Sequence, residues 1–262
     1  MEPVSATSGR LVAPTDANMS PTESSSSPVR TPSRSGIGSS GVGLRVGAKI
    51  ESDDAFMPAR AFLIQLVSRE IHLGHRQAAW LRVAGRQLAR AGQAELAGEC
   101  VRLAAESWKQ REQLVVLLHR LVARWNRGVR RRVEPLDLTE QPPTKSMRAY
   151  IDLNEQVVAG TTPTAVVAAL AAVERLLCSV VPFALELADC EGQGDVGEAL
   201  CLYQEREDRA AALEELAAAL VAAKPSRRPE FEASAAEAIA SFTTVNRESA
   251  ELGHQLVEWR TR

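Results

Sequence analysis

The chain has 262 residues, 45% apolar and 24% charged, with a formal net charge of −2 from 31 basic and 33 acidic side chains. This excludes a collagen-like or wholly disordered chain, and the charge balance argues against a dedicated nucleic-acid binder. Four scattered Cys give neither a metal-ligand spacing nor a disulfide framework, no leader-like apolar run opens the chain, and no apolar stretch is long enough to span a membrane, so the expected compartment is a reducing cytoplasm.

In chain order, residues 1–50 are about half Ser, Thr, Pro and Gly, and no aromatic residue precedes Phe56. Such a segment buries too little surface to offset its chain entropy, which predicts a disordered tail over 1–54 ahead of a single helical domain over 55–262. From Ala55 onward Ala, Leu, Glu, Arg and Gln dominate, and the fold class is all-α. Helices are expected at 56–92, 95–130, 146–160, 163–189, 195–223 and 229–260, the first divided in two because so long an unbroken helix is unusual. Glu134-Pro135 and Gln141-Pro142-Pro143 predict an extended loop. In Gly160-Thr161-Thr162-Pro163, glycine closes one helix, Thr162 caps the next and Pro163 takes its first position.

Glu112 and His119 lie seven residues apart, almost two turns, and so share one face of a helix that is apolar on nearly all sides. Such a helix is expected at the centre of a bundle, where a carboxylate and an imidazole must find partners. Glu174 shares its stripe only with Val167, Leu170, Cys178, Val181 and Leu185. It should be buried, and therefore protonated, metal-bound, or paired with a base such as Arg111 or Arg175. The run from Tyr203 to Arg209 reads either as a solvated face with a Glu205–Arg209 pair or as a segment turning Glu205 or Asp208 inward. Glu70 shares a stripe with Leu63 and Leu66, while His72 and His75 read as residues near the surface or a helix seam. One Glu251-x-x-His254 motif falls short of the pair that a ferritin-like site needs. Arg120, Arg124, Arg127 and Arg131 form a basic stripe suited to a helix C-terminus or to an anionic partner, and apolar neighbours make Cys178 a core thiol.

Four stretches carry a family resemblance: ESWKQREQLVVLLHRLVARWN, PPTKSMRAYIDLNEQVVAGTTP, AVVAALAAVERLLCSVVPFALELA and ALCLYQEREDRAAALEELAAAL. Together residues 56–260 resemble the heme-oxygenase-like helical bundle of TenA-type thiaminases, the pyrroloquinoline quinone synthase and the non-heme di-iron oxidases and oxygenases. The resemblance implies iron held by Glu112, His119 and Glu174, with Glu205 or Asp208 standing in for the histidines that the fourth stretch lacks. It implies an oxidase or oxygenase acting on a small organic substrate, in a homodimer. No catalytic residue beyond the ligands is assigned. The alternative is a non-catalytic helical interaction module whose tail docks a protein partner; the tail stretch SGIGSSGVGLRVG loosely resembles the peptides that load cargo into encapsulin shells.

Overall fold

The computed structural model describes residues 57–129, 132–180 and 194–262. The tail over 1–54 with its docking stretch, Arg131, Pro182, Cys190 and the far end of the helix expected over 163–189 lie outside these residues. The described residues belong to one compact unit and contain no strand. Their helices are α1 (Met57–Arg90), α2 (Ala94–Trp125), α3 (Pro135–Glu140), α4 (Lys145–Ala159), α5 (Val166–Cys178), α6 (Gly194–Gln204), α7 (Arg206–Ala223) and α8 (Arg228–Thr261), with 3₁₀ turns at Pro163–Ala165 and Pro225–Arg227. None is long and apolar enough to cross a membrane.

The first expected helix is one unbroken element, not two. Its stability comes from packing along its whole length, chiefly against α2 and also against α8. The glycines inside it serve close approach rather than a break. A Cβ on Gly74 would lie 2.6 Å from Arg111 Cβ on α2, and one on Gly85 would lie 3.1 Å from Cys100 Cβ. Gly92, with φ +77°, makes the left-handed turn that reverses the chain between α1 and α2. The short link makes α1 and α2 an antiparallel hairpin.

Other expectations are corrected. The proline-flanked loop contains a short helix, α3, which opens on Pro135, where the missing N–H costs nothing. Thr162 precedes the Pro163 turn but makes no side-chain cap; its hydroxyl instead bonds Glu230 and accepts from Arg227 Nη1 at 2.6 Å. The helix expected over 195–223 breaks at Glu205 into α6 and α7. On α4, by contrast, Thr144 does cap, accepting from the Met147 N–H at 3.4 Å and donating to Glu248 of α8 at 2.7 Å.

The core is built where α1, α2, α4, α5 and α8 meet. Leu63, Leu66, Leu81, Leu103, Leu118 and Leu121 are fully buried, each contributing about 1.5–3 kcal/mol by the usual transfer scale. Tyr150 of α4 stands edge-on to Phe242 of α8 at 5.0 Å and to Trp80 of α1 at 6.4 Å. Near the end of the chain Arg260 sits over the Trp125 ring at 4.9 Å and donates to the Trp125 and Arg127 carbonyls, so a cation closes the C-terminus of α2.

Candidate functional site

Two places carry the polar chemistry: a buried network between α1, α5 and α7, and a cleft between α2 and α6. The network begins with Glu174. It is 0% exposed on α5, as its apolar stripe requires. Its partners are Arg206 and Arg209 of α7, not the expected Arg111 or Arg175. Arg206 Nε donates to Glu174 Oε2 at 3.0 Å and Nη2 to Oε1 at 3.3 Å, while Arg209 Nε lies 3.4 Å from Oε1. Arg175 instead pairs with exposed Glu214 on the outside.

Arg206 is shared. Its Nη1 donates to Glu70 of α1, and Glu70 also accepts from the Tyr203 hydroxyl of α6. The guanidinium lies 5.2 Å from the Tyr203 ring centroid. The Gln110 amide, turned with its oxygen toward the guanidinium, accepts from Nε at 2.6 Å and Nη2 at 2.9 Å. Arg209 is anchored by donating to Ser107 of α2 at 2.9 Å. Two carboxylates thus meet two guanidinium groups, and the charges cancel inside the protein.

The carboxylates are not equivalent. Burial pushes Glu174 up, but Arg206 and Arg209 together outweigh it and hold its carboxyl below the ordinary range. Burial pushes Glu70 up as well, and there Arg206 and the Tyr203 hydroxyl offset only part, leaving it raised. Burial opposes the charge of Arg206, yet Glu174 and Glu70 keep it firmly protonated. Arg209 has one carboxylate at hand and is lowered by burial.

The charged run between Tyr203 and Arg209 therefore turns its arginines inward, with Glu205 and Asp208 exposed. The acids face out, as the solvated-face reading has them, but Arg209 pairs with Glu174 and not with Glu205, and neither Glu205 nor Asp208 turns inward. The missed signal was spacing: Arg206, Arg209, Leu213, Leu216 and Leu220 fall on one helical stripe, all buried.

The second place is a cleft of about 620 Å³ lined by Val116 and Leu117 of α2 and Cys201 and Leu202 of α6, with Lys109, Glu112, Arg120, Glu198 and Glu205 around them. Arg120 and Glu198 bridge the two helices at 2.5 Å. Helix α2 is not central, as its all-round apolar pattern suggested. Its leucine stripe packs inward, whereas Glu112 and His119 are exposed and Val116 keeps 52% of its surface.

The five residues expected to hold iron do not gather at one point. Glu174 sits against the arginines, Glu112 and Glu205 line the cleft, and His119 and Asp208 are exposed outside it. Among the described residues no three His, Cys, Asp or Glu side chains are grouped to hold a metal. The remaining candidates are simpler. His72 is half-buried and lowered chiefly by burial, His75 is exposed, and His254 pairs with Glu258 on the surface. Burial raises the Cys178 thiol, which makes it a poor nucleophile. The chain is matched by no family model, no curated protein and no solved structure.

Proposed function

We propose that this chain is a non-catalytic helical interaction module, with the cleft between α2 and α6 and the adjoining outer face of α2 as its contact surface. One observation carries the reading. Glu174, the buried carboxylate of the implied ligand set, faces the guanidinium groups of Arg206 and Arg209, and its buried neighbour Glu70 pairs with Arg206. A divalent ion entering there would meet two cations in a medium of low dielectric, and the carboxylates have no charge left to offer it. The residues present do not fit the metal that the family resemblance implies. Glu112 and Glu205, the two expected ligands that line the cleft, have no imidazole beside them, since His119 lies outside it.

The cleft has the make-up of a contact site, with apolar side chains among charges of both signs. The segment over 1–54 belongs to the same reading as a docking peptide for a partner or a shell, supported by its composition.

The test is anaerobic loading with ferrous iron, desalting and elemental analysis, followed by dioxygen uptake. The module retains no stoichiometric iron and consumes no dioxygen. Near-stoichiometric iron that disappears in Glu174→Gln would contradict the reading and return the protein to the oxidases.

A further inference from the structure

A second hollow, of about 210 Å³, lies where the last turns of α1 and α7 meet the link before α5 and the start of α8. Its apolar lining includes Leu88, Leu220 and Phe231, all buried. The charged side chains that line it among the described residues, Lys224 and Arg227, are both cations. The volume is the liquid share of roughly seven waters, so an occupant has few atoms.

The polar groups around this hollow are left short of partners. Lys224 is exposed, with no carboxylate at ion-pair distance among the described residues. Arg227 bonds Thr162 and Glu230 through Nη1, which leaves Nε and Nη2 without a partner among the described residues. Those two nitrogens form one edge of the guanidinium, the edge that grips an oxyanion with two parallel bonds. Glu230 feels both cations, but it lines a neighbouring depression with Ser234 and Glu237. Thr161 and Thr162 line both hollows and stand between them. Two cations against one carboxylate leave the hollow net positive. The Thr161 and Thr164 hydroxyls, also in its lining, make no hydrogen bond among the described residues. Gln87 has the opposite need: its side-chain oxygen is shielded from water and accepts from no donor, a cost that an O–H in the hollow would relieve.

We propose that this hollow binds a small hydroxylated oxyanion, the phosphate ester or the carboxylate of a short polyol. The negative oxygens meet Lys224, the Nε–Nη2 edge of Arg227 and the hydroxyls of Thr161 and Thr164. A ligand hydroxyl donates to Gln87, and the carbon skeleton lies against Leu88, Leu220 and Phe231. The hollow shares no residue with the cleft between α2 and α6, and the proposal is independent of the interaction-module reading.

The test is isothermal titration calorimetry of the full chain with glycerol 3-phosphate, glycerate and inorganic phosphate at low salt. A hydroxylated anion binds once per chain, about tenfold or more tighter than inorganic phosphate. Glycerol 3-phosphate as the tighter of the two assigns the phosphate ester, and glycerate as the tighter assigns the carboxylate. Lys224→Gln, at an exposed position, weakens binding about tenfold with unchanged helical circular dichroism, and Thr164→Val weakens it less. Lys145→Gln, on the exposed start of α4, leaves binding unchanged. No saturable binding of either hydroxylated anion, or binding that Lys224→Gln leaves intact, overturns the site. Inorganic phosphate that binds as tightly as the others overturns the part given to Gln87.

Discussion

The interior network and the outer face of α2 handle their side chains in opposite ways. Inside, Glu70, Glu174, Arg206 and Arg209 are withdrawn from water and have their partners within the chain. Outside, Val101, Trp108 and Val116 are left in water beside a cleft edged with both signs of charge. The buried charges look like chemistry in the sequence and turn out to be held by the fold. The apolar face looks like core and turns out to be uncovered. Function is better sought where groups lack partners than where charges are merely buried.

The contrast can be broken from the inside first. Arg206→Met removes the cation that Glu70 and Glu174 share and leaves Arg209 to Glu174, and urea unfolding is expected to show a loss of about 3–5 kcal/mol. Gly74→Ala forces a methyl group into the Arg111 side chain, for about 1–3 kcal/mol in the same assay. Glu70→Gln costs less, about 1 kcal/mol, because the amide oxygen still accepts from Tyr203 while Arg206 keeps Glu174. Its sign with pH differs from that of Glu174. A raised carboxyl favours the fold when protonated, so the strain from Glu70 is relieved as pH falls through its raised value. Thr144→Ala removes the α4 cap and a bond to Glu248, for about 1 kcal/mol in thermal unfolding.

Much of the interior was legible in the sequence. The helical class followed from composition, and the burial of Glu174 from a stripe without another charge. Its partners were hidden because seven polar residues in a row resemble a solvated face, and only the apolar residues that continue the stripe at Leu213, Leu216 and Leu220 reveal that Arg206 and Arg209 point inward. The break at Glu205 adds to the difficulty, since it brings Tyr203 and Arg206 onto one carboxylate from two helices. The outer face was misread for a different reason. Leu and Val on all sides of α2 imply burial on all sides only if enough neighbours exist, and α2 stands at the edge of the bundle. The continuity of α1 was missed because tertiary packing, which local propensity does not report, holds it straight.

The central claim is that Glu174 is ionised and held by Arg206 and Arg209. It is tested most directly by urea unfolding of the wild type and Glu174→Gln from neutral pH downward. Because its carboxyl is depressed in the fold, Glu174 contributes stability above the ordinary carboxylate range, and that contribution fades as pH falls through the depressed value. Glu174→Gln is therefore expected to be less stable by about 3 kcal/mol at neutral pH, with the gap narrowing in acid. A variant as stable as the wild type at neutral pH, or a gap that does not change with pH, would contradict the account.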